Sequence, residues 1–393
     1  MSKRTADLLA EEALARATQA GTLRSLRTAE GPVTARMRLD GREVLMLSSG
    51  NYLDLAHHEA VIEAAISASR EIGCAASGSR LINGNHACHE ALEAELARFF
   101  GTEAALVWST GYMANVGVIP ALVGEGDVIL SDELVHASVI DGARLSRAEV
   151  RVFPHGDASA LQGAFEQIRG HARRVLVVVD GVYSMDGDLA PLPQIAAITT
   201  RHEGMLLLDD SHGTGTLGAR GRGSAELLGA QQGVDVLLGT LGKALGSFGA
   251  FVVCSAKVRD LLINTARSLI FSCALAPAQV EAARAALRLV EQEPWRRERL
   301  QENAAHLRAR LAAVGISTAP SVTHIVPIVL GDNARTMTVC EALLERGFHA
   351  QGIRHPSVPQ GTARLRVTPM ATHTPADLDA FVDALLETLA ATD

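Results

Sequence analysis

Short apolar segments recur along the middle of the chain, from about residue 104 to residue 254. Turn-forming or polar residues flank each segment, and helical or polar stretches separate most of them. The segments read AALVWS, DVILSD, EVRVFPH, RVLVVVD, GMLLLDD, DVLLGT and GAFVVCS. Short apolar strands that alternate with helices are typical of a largely parallel sheet covered on both faces. The pattern therefore predicts an α/β fold built on a mainly parallel seven-stranded sheet.

The patterns before and after this region differ from it. Residues 1–20 predict an amphipathic helix, and a short hairpin is expected around Asp40 and Gly41. HEALEAELARFFG, residues 89–101, has apolar residues three and four apart and ends at a glycine, which predicts a helix. After residue 280 one long helix is predicted, followed by HIVPIVLGD, a further helix, ARLRVTP and a last helix. We therefore expect an N-terminal helix and arm over 1–48, a large domain over 49–285 and a smaller α+β C-terminal domain over 286–393.

Composition narrows the class of protein. The chain has 393 residues, of which 48% are hydrophobic and 20% charged, with a formal net charge of −8; this is ordinary for a globular protein. The arginines are scattered, which disfavours binding to nucleic acid or to an anionic membrane surface. No apolar run approaches the roughly 20 residues that span a bilayer. The five cysteines form no CxxC pair, which favours reduced thiols and a cytoplasmic protein.

Lysine is rare in this sequence, and one lysine has an unusual setting. Only Lys3, Lys243 and Lys257 occur, among 36 lysine and arginine residues in total. Lys243 lies in DVLLGTLGKALGSFGA, between glycines and just after an apolar strand-like segment. Arginine stays protonated, whereas lysine can lose its proton and form an imine. A nucleophilic amine is one interpretation of Lys243, and a lysine retained by chance at a turn is the other.

Small, hydroxyl-bearing and ionisable residues follow several of the predicted strands. In open α/β sheets, ligands bind beyond the carboxyl ends of the strands. The residues at those ends are Thr110, Gly111, Tyr112, His136, Ser184, Asp209, Asp210, Ser211, His212 and Thr240. A helix start that could hold a phosphate, a carboxylate and a lysine amine are the groups that pyridoxal 5'-phosphate (PLP) needs. The spacing therefore predicts a PLP site, although each residue by itself could also be a structural cap.

A metal site is not expected. His89 and Glu93 lie four residues apart on a predicted helix, as some metal ligands do. No further ligand follows at a suitable spacing, so the pair indicates only a helix face.

Segments spread over nearly the whole chain resemble the α-oxoamine synthases, which are PLP-dependent enzymes of the aspartate-aminotransferase fold type. The segments are SSGNYLDL, GSRLINGNH with HEALE, STGYMANVG, DELVHASVIDG, GVYSMDGD, LLLDDSHGTGTLG with GRGS, GTLGKALG, IFSCALAP and GIRHPSVPQGTARLRVT. The resemblance implies the PLP-dependent transferase fold of type I, with a large PLP-binding domain and a smaller C-terminal domain.

The resemblance also implies roles for individual residues. Lys243 corresponds to the Schiff-base lysine, Asp209 to the partner of the pyridinium nitrogen, and His136 to the imidazole stacked on the cofactor ring. His212 corresponds to the histidine near the phenolic oxygen, and these four residues form the expected catalytic set. The other expected cofactor-binding residues are Gly111, Tyr112, Ser184, Thr240 and Cys273. The expected substrate-binding residues are Asn51, Arg354, Arg366 and Arg24. Arg366 would pair with the amino-acid carboxylate. Arg24 would lie near the acyl substrate, or else it would end a solvated helix.

The activity implied is a decarboxylative condensation of a small amino acid with an acyl-CoA, which gives an α-aminoketone, CoA and CO2. The tail motif is most similar to the biotin-pathway branch of the family, which joins L-alanine to a pimeloyl thioester, and a homodimer is expected. A paralogue with another acyl thioester or amino acid is the alternative, because Gly50, Asp54, His355 and Cys273 depart from the family pattern. Transamination or aldol cleavage, and a non-catalytic cofactor-binding subunit, are the interpretations from other classes.

Overall fold

The computed structural model describes residues 4–392. Its strands are β1 (Ala29–Glu30), β2 (Arg36–Leu39), β3 (Arg42–Met46), β4 (Ala104–Trp108), β5 (Val128–Asp132), β6 (Glu149–Phe153), β7 (Val175–Asp180), β8 (Met205–Asp209), β9 (Val236–Thr240), β10 (Ala250–Cys254), β11 (Val326–Gly331), β12 (Phe348–His349), β13 (Gln351–Ile353) and β14 (Ala363–Val367). Its helices are α1 (Thr5–Gln19), α2 (Glu59–Glu71), α3 (Ala87–Phe100), α4 (Gly111–Leu122), α5 (Ala137–Ser146), α6 (Ala158–Gln167), α7 (Leu192–Arg201), α8 (Ser224–Leu228), α9 (Ala256–Thr265), α10 (Arg267–Ile270), α11 (Pro277–Gln292), α12 (Trp295–Ala313), α13 (Asn333–Glu345) and α14 (Pro375–Thr392).

These elements form two compact units. The large unit spans Gly50–Gln301, and the small unit comprises the described residues up to Ser49 together with those from Glu302 onward. The division therefore falls within α12 rather than at residues 285/286, because α11 packs against α2 and α3 of the large unit. The N-terminal arm belongs to the same unit as the C-terminal part of the chain, since β3 pairs with β12.

The large unit is built on a seven-stranded sheet in the order β4-β10-β9-β8-β7-β5-β6. Only β10 runs antiparallel to its neighbours, and the other pairs are parallel. The predicted fold class and its seven strands are confirmed. Each of the strands β4, β5 and β10 is buried along its whole length, as the uniformly apolar segments predict for a sheet covered on both faces.

The strand register brings polar residues to one edge of this sheet. The neighbouring parallel strands β5, β7, β8 and β9 end at Asp132, Asp180, Asp209 and Thr240, respectively. Asp180 lies directly opposite Asp209, so their side chains emerge on the same side of the sheet. Buried apolar residues of α4 and α5 pack against the strands and fix this edge beside the starts of both helices.

The small unit contains two small sheets, β1-β2-β3-β12 and β11-β14-β13. The predicted hairpin is present between β2 and β3, where Asp40 and Gly41 have φ values of 50° and 77°. Positive φ at both positions is the requirement of a type I′ turn. The prediction of one long helix after residue 280 is wrong, because α11 ends before Pro294 and α12 begins after it; proline lacks the backbone N–H that a helix interior needs. No helix within residues 4–392 is long and apolar enough to cross a membrane.

Candidate active site

A pocket at the carboxyl ends of β7, β8 and β9 contains most of the predicted site residues of the large unit. Its lining is Gly111, Tyr112, His136, Ser138, Asp180, Asp209, Ser211, His212, Thr240 and Lys243. Seven of these residues were given a role in the site from the sequence, and Ser211 was expected at the same strand ends without a role. Ser138 and Asp180 were not, because serine and aspartate at strand and helix ends are common structural residues.

The amine of Lys243 contacts a short row of polar side chains. Lys243 Nζ lies 3.1 Å from His212 Nε2, and His212 Nδ1 lies 2.8 Å from the hydroxyl of Tyr52. Tyr52 and His212 are both buried. A protonated amine donates to Nε2 while Nδ1–H donates to the phenolic oxygen, and both bonds reverse when the amine is neutral. The row therefore accommodates both protonation states of Lys243. Sequence reasoning missed Tyr52, because a tyrosine in an apolar segment indicates only core packing.

The backbone around Lys243 is held by close approaches that require glycine. Gly246 has φ +57°, and a Cβ there would lie 2.4 Å from the backbone nitrogen of Ala56. The turn that contains Ala56 is shaped by Asn51, whose Oδ1 accepts from the Ala56 N–H at 3.1 Å. A Cβ at Gly50 would lie 3.5 Å from Lys243 Cγ, which is an ordinary van der Waals distance. The turn that presents the lysine is thus fixed against the chain that follows Gly50.

Asp209 and His136 are joined by a buried amide that the sequence did not reveal. Asn115 Nδ2 donates to Asp209 Oδ2 at 2.8 Å and to Ser138 Oγ at 2.9 Å. The Ser138 hydroxyl in turn lies 2.7 Å from His136 Nδ1. The other oxygen of Asp209 accepts from the Ser211 N–H at 3.1 Å. Both carboxylate oxygens of Asp209 are therefore oriented, and the orientation of His136 is coupled to that of Asp209.

Burial sets the protonation of the groups around Asp209. Burial first, and then the charge of Asp209, raises the pKa of Asp180 well above its ordinary value. Burial lowers the pKa of His136; the charge of Asp209 opposes this effect and that of Lys243 adds to it. Burial therefore favours the uncharged forms of both Asp180 and His136 beside Asp209.

A second buried carboxylate holds the loop that carries His212. Asp210 is fully buried, and its Oδ2 accepts from the Ser224 N–H at 2.7 Å. A Cβ at Gly213 or Gly223 would lie 2.2 Å or 1.8 Å from an oxygen of this carboxylate, so only glycine fits at either position. Burial raises the pKa of Asp210 to about 7. This carboxylate, which closes the loop after β8, explains the first glycine of HGTG and the second glycine of GRGS.

The start of α4 offers backbone donors to the same pocket. Thr110 caps the helix, with its Oγ1 accepting from the Met113 N–H at 3.1 Å. Gly111 and Tyr112 form the first turn and line the pocket, and Thr240 lies among its other lining residues. The N–H groups of a first helical turn bind anions well. This end of the pocket is suited to a phosphate group.

Two predicted cofactor-binding residues lie outside the lining of this pocket. Ser184 belongs to the loop that follows β7, and Cys273 is exposed, with its carbonyl oxygen accepting from Ser109 Oγ at 3.3 Å. Their roles stay predictions.

The arginines expected to bind substrate belong to the small unit. Arg24 Nη2 donates to Ser357 Oγ at 3.2 Å, and Arg354 Nε donates to the Gly21 carbonyl oxygen at 2.9 Å. Arg354 therefore holds the backbone just before Arg24. Arg366 lies on β14 and is half-buried. Their roles in substrate binding also stay predictions.

The His89 and Glu93 pair takes part in structural contacts. His89 Nε2 lies 2.8 Å from the carbonyl oxygen of Leu275, and Glu93 forms an ion pair with Arg80. Among residues 4–392, no group of three histidine, cysteine or acidic side chains is arranged to hold a metal ion.

Known proteins resemble this chain over most of its length. The family model of class I and II aminotransferases matches residues 42–385. The chain is 52% identical over 367 residues to 8-amino-7-oxononanoate synthase of Geobacter sulfurreducens, covering 93% of this chain and 94% of that protein. It is 50% identical over 360 residues to the enzyme of the same name from Pelobacter propionicus, covering 91% and 92%.

Solved structures give the same relationship. A serine palmitoyltransferase from S. paucimobilis with a bound PLP–myriocin aldimine superposes with a TM-score of 0.92 at 32% sequence identity. That match covers 98% of this chain and 97% of the other. This chain belongs to the class I and II aminotransferase family and, within it, to the α-oxoamine synthases.

Proposed function

We propose that this member of the α-oxoamine synthases condenses L-alanine with a pimeloyl thioester, as an 8-amino-7-oxononanoate synthase. The products are 8-amino-7-oxononanoate, CO2 and the free thiol, CoA when the thioester is pimeloyl-CoA. The single observation that carries the proposal is Lys243, whose amine shares one pocket with Asp209 and with the start of α4. The identity of about half of all aligned residues to enzymes of that name supports the choice of substrates.

The residues of the pocket fit PLP as the cofactor. Lys243 supplies an amine for its carbonyl carbon, and Asp209 supplies a carboxylate for its ring nitrogen. The first turn of α4 and Thr240 supply donors for its phosphate. When bound, PLP contributes a carbon that accepts an amine and a ring that withdraws electrons from the carbon next to that amine.

Lys243 has two tasks in this proposal, and both need its neutral amine. It first binds the cofactor, and after the amino acid replaces it, its free amine removes the proton from the substrate Cα. The imidazole of His212 lies next to Nζ and is backed by Tyr52, so it can take up a proton from the amine and return it. Arginine could perform neither task, because it does not lose its proton.

Asp209 supplies the negative charge that the reaction needs at the far side of the ring. Its two oxygens are oriented by Asn115 and by the Ser211 N–H. Burial raises the pKa of Asp180 beside it, which disfavours a second negative charge at this place. A neutral His136 suits a stacked ring, because an imidazolium would repel the positive charge of a protonated pyridine.

The remaining assignments are part of the same proposal. Arg366 pairs with the amino-acid carboxylate, and Arg24 lies near the acyl substrate. Asn51 and Arg354 complete the set of substrate-binding residues. Cys273 acts near the phosphate of a second copy in a homodimer, and the enzyme works in the cytoplasm. Sedimentation of the holoenzyme tests the assembly, and a monomer with full activity would contradict it.

The test of function is thiol release from a panel of acyl-CoA thioesters, each combined with glycine, alanine or serine. The PLP-loaded protein is compared with Lys243→Ala as the blank and Lys257→Ala as the control for loss of a lysine elsewhere. We expect an optimum for pimeloyl-CoA with alanine, full activity in Lys257→Ala and none in Lys243→Ala. Release with another pair only would assign the paralogous function with a different substrate. Release with no pair would overturn the condensation itself.

A further inference from the structure

A histidine away from the pocket bridges two buried or partly buried carboxylates. His155 follows β6, and its Nδ1 lies 3.0 Å from Asp132 Oδ1 while its Nε2 lies 2.8 Å from Asp188 Oδ2. The side chain of Asp132 is fully buried, and that of Asp188 is 15% exposed. Burial alone would lower the pKa of His155, but its hydrogen bonds to the two carboxylates outweigh this and raise that pKa to about 10. His155 is therefore a cation at neutral pH, with one carboxylate on each ring nitrogen.

The two carboxylates belong to different loops, and both loops lie at the carboxyl ends of the parallel strands. Asp132 ends β5 and accepts from the Leu134 N–H at 2.8 Å and from the Gly156 N–H at 2.9 Å. It thus shapes the loop that leads to His136. Asp188 belongs to the turn after β7, where the Tyr183 N–H donates to its carbonyl oxygen at 3.1 Å.

The same two loops meet a second time inside the pocket. The backbone N–H of His136 donates to Asp180 Oδ1, at 3.4 Å, and Asp180 is the last residue of β7. The contact is long, so it holds the loops only weakly on its own. The bridge through His155 is the stronger of the two connections, because both of its hydrogen bonds are charge-assisted. Tyr183 packs edge-on against the imidazole, with ring centroids 4.2 Å apart.

We propose that His155 is a positioning residue for the cofactor pocket: it clamps the loop after β5 to the loop after β7 and thereby fixes His136 over the cofactor. The inference rests on the proposed function, since it takes PLP as the ligand of the pocket. His155 itself does not line that pocket. It acts through Asp132 and Asp188, neither of which lines it either.

The experiment is a titration of the PLP-free protein with PLP, read by the visible absorption and circular dichroism of the bound cofactor. The variants are His155→Ala, Asp188→Asn and the two combined. Asp188→Asn keeps the contact of His155 with Asp132 and serves if His155→Ala fails to fold. His306→Ala is the matched control, because His306 also pairs with a carboxylate, that of Asp379, at 2.9 Å, but in the small unit.

The clamp predicts that each single change weakens PLP binding about tenfold. The double variant should bind PLP no more weakly than His155→Ala, since both changes break the same set of contacts. The circular dichroism of bound PLP should change in all three variants, and His306→Ala should match the unchanged protein in both readouts. Binding within about twofold of the unchanged protein in both single variants would overturn the clamp, and so would additive losses in the double variant. Failure of the unchanged protein to bind PLP would instead overturn the proposed function.

Discussion

Replacement of Asn115 by alanine tests whether the amide network, rather than burial in general, prepares the pocket for its cofactor. Asn115 is 1% exposed, and its Nδ2 donates to Asp209 and to Ser138. A hydrogen bond to a charged group contributes about 1.5–3 kcal/mol and one to a neutral group about 0.5–1.5 kcal/mol. Asn115→Ala should therefore lower the free energy of unfolding of the PLP-free protein by about 2–4 kcal/mol.

The chain offers a matched control for this change. Asn303 is 2% exposed, and its Nδ2 donates to the carbonyl oxygens of Met370 and His373, both at 2.9 Å. It has the same residue type, burial and number of bonds, but its acceptors are neutral and lie in the small unit. Asn303→Ala should cost about 1–3 kcal/mol of unfolding free energy.

The two variants should differ in their affinity for PLP. Without Asn115, one oxygen of Asp209 loses its donor, and the link from Asp209 to His136 through Ser138 is broken. A loss of about 1.4 kcal/mol in the orientation of Asp209 corresponds to about tenfold weaker binding. Urea unfolding measures the stability of each PLP-free variant, and titration with PLP measures its affinity. Equal PLP affinity in Asn115→Ala and Asn303→Ala would refute the reasoning, because the network would then matter only for folding.

Three further outcomes are expected. Asp209→Asn should lower thiol release by several orders of magnitude with the fold intact, because the neutral amide cannot stabilise a protonated ring nitrogen; an unchanged rate would assign this role to another carboxylate. Gly246→Ala should lower the thermal stability of the protein more than Gly229→Ala does. Both glycines have positive φ, but only a Cβ at Gly246 would lie 2.4 Å from the backbone nitrogen of Ala56. An equal loss of stability in the two variants would show that the loss comes from backbone strain and not from this close contact. Burial lowers the pKa of His373 to about 4. The unfolded state therefore binds a proton at this histidine more tightly than the folded state does. The free energy of unfolding should fall by up to about 3 kcal/mol as the pH is lowered from 6.5 to 4. In His373→Gln, the free energy of unfolding measured with denaturant should depend less on pH over this range. An unchanged dependence on pH would contradict the assignment of this effect to His373.

The sequence by itself determined the strands and the chemistry at their ends. Most of the seven segments are almost uniformly apolar, which predicts a sheet buried on both faces. EVRVFPH alternates instead, and it forms the largely exposed edge strand β6. Lys243 could be singled out because its neighbours in the turn are glycines and because lysine is otherwise nearly absent. Asp209 and His136 could be placed near it from the rule that ligands bind at the carboxyl ends of parallel strands.

Only the tertiary structure decided which side chains touch. The pairing of Asp180 with Asp209 depends on the order and register of β7 and β8, and register is a non-local property. The contact of Tyr52 with His212 and that of Asn115 with Asp209 join residues 160 and 94 positions apart. Periodicity reports the face on which a residue lies but not its partner on another element. The lysine, its carboxylate and its histidines can therefore be found in the sequence, whereas the contacts that orient them exist only once the sheet has formed.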